Sequence, residues 1–141
     1  LAYRTSYYAS FKAQYSNNLI SHRQVVLGGE SGARAFDNRF QVGDRSVILT
    51  LEERLYTDLH LWNLIRVGGA LFVDVGRAWS PDFDNGVEEE LLADIGFGLR
   101  LASSKAASGR IAHIDFAFPM TNRDDPEVDS MQVAITIKGS F

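Results

Sequence analysis

The chain has 141 residues, 45% of them hydrophobic, with a net charge of −4 and no cysteine. This length makes one domain with a sizeable core; the lack of cysteine excludes disulfides and thiolate metal sites, and the acidic balance argues against nucleic acid as a partner. No apolar run reaches the roughly 18 residues of a transmembrane helix, whereas a transmembrane β-barrel stays open because its lipid face uses only every second residue.

The chain begins at Leu1 without an initiator Met, and Leu1 to Ser10 holds no basic segment leading into an apolar run. It therefore reads as a piece of a longer polypeptide with no visible signal peptide. Tyr7, Ala9, Phe11, Ala13 and Tyr15 alternate with Tyr8, Ser10, Lys12 and Gln14, a period of two that predicts a strand. A long polar connection follows from Ser16 to Asp44, containing GGESGARAF, Gly28 to Phe36. A soluble turn needs no arginine set among small residues beside a phenylalanine. The segment predicts a loop packed against something, with its cation aimed at a partner.

Alternation returns with Val47, Leu49, Leu51 and Leu55, broken only by Glu53 on the apolar side. LYTDLHLWN then reads as a short, turn-like connection. Leu71, Val73, Val75 and Trp79 oppose Ala70, Phe72, Asp74, Gly76 and Ala78, and Arg77 falls on the apolar side near the strand end, where its stem can snorkel. Ser80 to Glu90 is a second long polar connection. Ile95, Phe97, Leu99 and Leu101 oppose Asp94, Gly96, Gly98 and Arg100; Ile114, Phe116, Phe118 and Met120 oppose His113, Asp115 and Ala117. After a turn-like join around Thr121 to Asp129, Met131, Val133, Ile135, Ile137 and Phe141 close the series.

The expected fold is all-β, an antiparallel up-and-down meander of about six strands. Roughly ten residues per strand suit a bilayer-crossing strand better than a globular one. Apolar alternation alone also fits a soluble barrel binding a small apolar ligand. The polar face tips the reading towards the membrane, because it mixes opposite charges with glycines, and glycine on a strand face marks close approach of another group.

The order GGESGARAF, GDRSVILTLEERLY, RVGGALFVDVGRAW, DIGFGLRLASS and HIDFAFPM, with a terminal phenylalanine, resembles the C-terminal barrel of the BamA/TamA bacterial surface antigen superfamily, relatives of the two-partner-secretion transporters. The likeness runs from about Tyr3 to Phe141. It implies the last six strands of a sixteen-stranded outer-membrane barrel, with residues 1–141 as its C-terminal part. It also implies a signature loop, here Gly32, Arg34 and Phe36, that folds back into the lumen against acidic partners, here Glu52 and Asp74. Ala33 replaces the family valine and Ala35 the family glycine, which would strain Ala35 by about 1 kcal/mol if that position has φ > 0. Val133, Ile135, Ile137 and Phe141 match the family's C-terminal β-signal.

The implied function is insertion or translocation of polypeptides at the bacterial outer membrane, with a seam between first and last strand that opens to template a client strand. Implied partners are outer-membrane lipid, client polypeptides and the upstream part of the same chain, and the isolated piece is expected to associate through its strand edges. A membrane anchor for a patatin-like lipase is the alternative. No catalytic residue, metal or cofactor is expected: His113 and Asp115 lack a third ligand, DFDNGVEEE lacks regular calcium-ligand spacing, and no serine has a His-Asp partner set. Trp62 and Trp79 fall near strand ends, where interfacial aromatics collect.

Overall fold

A computed structural model describes residues 2–16, 24–29, 32–38, 40–80, 91–103 and 110–139. Its strands are β1 (Tyr3–Tyr15), β2 (Val25–Leu27), β3 (Gln41–Gly43), β4 (Arg45–Leu61), β5 (Ile65–Trp79), β6 (Leu92–Ser103), β7 (Ile111–Pro119) and β8 (Gln132–Lys138). Six of them form one antiparallel sheet in the order β1-β4-β5-β6-β7-β8, and β2 pairs with β3 as a separate ribbon. The six-stranded meander expected from the alternation is therefore the main architecture. The ribbon lies inside the first long connection and was not anticipated, since three residues per strand are too few to show a period.

Two connections differ from expectation. LYTDLHL is the continuation of β4, whose pairing with β5 slips between Tyr56 and His60. The slip leaves the parity intact, since Leu55, Leu59 and Leu61 continue the odd-numbered series of Leu49 and Leu51. The turn itself is tighter, with Trp62 and Asn63 both at positive φ and Leu64 N–H donating to the Leu61 carbonyl at 3.0 Å. Asn suits such a hairpin turn and Trp does not; a tryptophan 83% exposed there matches the interfacial aromatic girdle of a membrane barrel. The second difference concerns Thr121 to Asp129, which joins β7 to β8 at the same end of the sheet as the two long connections.

Burial inverts the soluble pattern. Across the sheet, register aligns Tyr7, Glu53, Leu71, Phe97, Phe116 and Val133 on one face. This face is apolar and open, with Tyr7 80%, Leu71 59% and Ile135 70% exposed. Glu52, Asp74, Asp94, Arg100, His113 and Asp115 on the opposite face are buried. A soluble barrel needs the reverse, so the small-ligand reading fails on this distribution. The polar face is concave: residues of both edge strands, among them Ser10 and Lys12 of β1 and Thr136 and Lys138 of β8, line a single cavity of about 700 Å³.

Ile95→Arg is expected to cost about 2–4 kcal/mol of folding stability in lipid vesicles, because it sets a cation on the lipid face. The same change at Thr136, which faces the cavity, is expected to cost much less. Equal costs, measured by denaturant titration of vesicle-embedded protein, would contradict the assignment of faces.

Candidate functional site: a loop arginine among lumen carboxylates

The connection between β1 and β4 folds back over the polar face. Leu27, Ala33, Ala35 and Phe36 of the connection pack with Ile48, Phe72, Ala78, Leu92 and Ala117 of the sheet, so the apolar core lies between loop and wall. Phe36 is buried and stacks at a tilt on Phe40, with ring centroids 5.2 Å apart. The loop holds its own shape through Gly28 N–H to the Gly32 carbonyl at 2.9 Å, Gly29 N–H to the Phe36 carbonyl at 2.8 Å and Phe36 N–H to the Ala33 carbonyl at 3.1 Å. Gly32 has φ +112° and rests on the Ile48 side chain, so neither its backbone nor its surroundings admit a Cβ. The positive φ of the alanine pair falls on Ala33, at 58°, and not on Ala35. The expected strain of about 1 kcal/mol therefore belongs to Ala33.

This packing carries Arg34 into the concave face. Its Nη2 donates to Glu52 Oε2 at 3.0 Å, its Nε lies 3.1 Å from Asp74 Oδ2, and its Nη1 lies 3.7 Å from Asp115 Oδ2. The guanidinium also stacks 3.8 Å from the centre of the Phe72 ring. Three carboxylates and an aromatic face thus surround one planar cation, the geometry a guanidinium satisfies and an ammonium does not.

Further charges tie the cage together. Arg54 Nε donates to Glu52 Oε1 at 2.8 Å, and Arg100, 1% exposed at its side chain, reaches Asp115 Oδ1 at 2.6 Å and Glu52 Oε1 at 3.7 Å. Asp94 stands directly across from Asp74 in the β5–β6 register, and its Oδ2 accepts the Ala35 N–H at 3.1 Å. The loop tip is therefore held twice, by the Arg34 side chain and by the next backbone amide. Asp94→Ala is expected to speed hydrogen exchange of the Ala35 amide by up to about tenfold, since a hydrogen bond contributes roughly 0.5–1.5 kcal/mol net. Asp94→Asn keeps an oxygen acceptor and should exchange at an intermediate rate; an unchanged Asp94→Ala rate would remove Asp94 as a loop anchor.

Sequence reasoning placed Glu52 and Asp74 on one face but assigned no role to Phe72, Asp94 or Arg100. Phe72 could have been noticed as an aromatic on the polar side of its strand. Its neighbour Gly96, directly opposite in register, supplies the space for the ring. Val133, Ile135 and Ile137 lie on the outer face of β8, 48%, 70% and 71% exposed, while Phe141 falls outside the described residues. His113 is buried opposite Arg100, and among the described residues no group of acidic or histidine side chains is placed to hold a metal ion. DFDNGVEEE also lies outside the described residues.

An antiparallel sheet that is apolar outside, charged inside and filled by its own loop defines a wall segment of an outer-membrane β-barrel. A family model for the haemolysin secretion/activation protein ShlB/FhaC/HecB matches residues 2–101 of the 141, and the chain belongs to that family. It is a family of polypeptide-secreting outer-membrane barrels of the broad Omp85 type, not a family of enzymes. No curated protein and no solved structure matches the chain.

Proposed function

We propose that the chain forms part of the wall and the gating loop of a barrel that passes a client polypeptide across the bacterial outer membrane. The carrying observation is Arg34 seated between Glu52, Asp74 and Asp115 on the polar face. A loop so placed occupies the space that a polypeptide would need. It is seated by the apolar core it shares with the wall together with the ionic cage, so leaving and returning means breaking and remaking both at once.

In this reading residues 1–141 are the C-terminal part of a sixteen-stranded barrel, and further strands of the same chain close the edges of β1 and β8. The 141-residue piece alone would associate through those edges. Gly32, Arg34 and Phe36 act as the signature loop, Glu52 and Asp74 as its partners, and the β8 residues with Phe141 as an assembly signal. The match over residues 2–101 favours secretion over the insertion of other membrane proteins that the BamA/TamA likeness also implies. No bond-making chemistry is assigned to the barrel.

A crosslink provides the test, since residues 1–141 hold no cysteine and the introduced pair is the one thiol pair within them. Ala35→Cys with Asp94→Cys, introduced into the complete barrel in liposomes, should stop client transfer when oxidised and restore it when reduced. Undiminished transfer by the oxidised form would sink the gating role.

A further inference from the structure

Resting on that gating reading, we propose that the carboxylate cage is also a receptor for arginine side chains of the client, which take the place of Arg34 when the loop leaves.

The charge around the cage makes a bare opening costly. Glu52, Asp74, Asp94 and Asp115 face Arg34, Arg54 and Arg100 across the site. Withdrawing Arg34 leaves Glu52, Asp74 and Asp115 against two guanidinium groups, with Asp94 across from Asp74. Lys12 and Lys138 line the same cavity from the edge strands but form no ion pair with the cage, so neither is already seated in place of Arg34. A partly desolvated excess of negative charge demands a counter-charge. Exchange of one guanidinium for another meets that demand, and simple departure does not.

The fit of Arg34 leaves room for a competitor. Asp74 is fully buried, yet neither of its oxygens takes a hydrogen bond from an N–H group, because Arg34 approaches with Nε 3.1 Å away but off the hydrogen-bonding direction. A guanidinium arriving with its fork aligned on Asp74 would make the two parallel bonds that Arg34 does not. Phe72 supplies a stacking face that prefers guanidinium to ammonium. Entry is from the cavity side, where the Arg34 side chain is 19% exposed and Asp115 9%. The receptor therefore selects arginine over lysine, and rejects a neutral isostere.

The test follows loop release in the complete barrel in lipid, with Ala35→Cys as reporter, because Ala35 is fully buried when the loop is seated. Acetyl-arginine amide should raise the rate of thiol labelling by about tenfold. Acetyl-lysine amide at equal ionic strength should do so by much less, and acetyl-citrulline amide should do nothing. Equal responses to the arginine and lysine probes, or none to either, would overturn the proposal. Adding Arg34→Ala separates it from the gating reading. High labelling in that variant together with no arginine response in the parent discards the exchange and keeps the gate; low labelling discards both. Should Ala35→Cys fail to assemble, conductance of the unaltered barrel in a planar bilayer gives the same discrimination, rising with the arginine probe and flat with citrulline.

Discussion

Arg34→Ala is expected to free the loop, speeding hydrogen exchange of the Ala35 and Phe36 amides by roughly tenfold and leaving client transfer no longer dependent on loop release. Truncation leaves Asp74 with no cation beside it and leaves Glu52 and Asp115 to Arg54 and Arg100 alone, and it leaves Phe72 without its stacked partner. Removing one side of a fully buried pair costs about 3–5 kcal/mol; the cage opens on a wet cavity, so about 1–3 kcal/mol is the expected loss of loop docking. Asp74→Ala should act in the same direction. The double variant should be little worse than Arg34→Ala, with a coupling energy of about 1–2 kcal/mol, because both changes remove one contact. Arg34→Lys keeps the charge but cannot span three carboxylates at once, and should recover only part of the docking. Loop docking is read from hydrogen exchange of the Ala35 and Phe36 amides, and transfer from protease protection of the client in liposomes. Strict additivity of Arg34→Ala and Asp74→Ala would show that the two residues act apart.

The strands were legible in the sequence because period two is a property of single residues and needs no partner. Ile95, Phe97 and Leu99 announce a face whichever strand lies beside them. Parity also put Glu52 and Asp74 on the charged side. What parity could not supply was register, and the rest of the cage depends on register. Asp94 matters because it falls opposite Asp74, and Phe72 because it falls opposite Gly96; neither relation is visible without knowing how β5 and β6 slide past each other. The slip between Tyr56 and His60 is likewise a matter of register, invisible in the leucines that alternate through it to Leu61. Which face met lipid was open for a related reason. Alternation says that one side is apolar but not whether that side points inward, and only the buried cluster around Arg34 decides it.

That dependence on register makes Gly96 the most informative position outside the charged groups. Gly96→Ala is expected to destabilise the barrel by about 1–3 kcal/mol although it adds a single methyl. A Cβ built there collides with the Phe116 carbonyl and with the Phe72 ring. The carbonyl belongs to the next strand and gives way only if the β6–β7 pairing shifts there, and the ring has to move as well. Phe72 is itself buried, packed in the core shared by loop and wall, and stacked on the Arg34 guanidinium. Displacing it pushes the cation away from Glu52 and Asp74. The substitution should therefore lower both the denaturant midpoint of the lipid-embedded barrel and the protection of the Ala35 amide, far from the added methyl in sequence. Phe72→Leu in the Gly96→Ala background relieves the ring clash but not the carbonyl one, so it should restore part of the stability while leaving Arg34 without its aromatic face. The two readouts then part: stability recovers in part, and loop protection stays low. Full recovery of both would show that the ring acts as filler and contributes nothing to holding the loop.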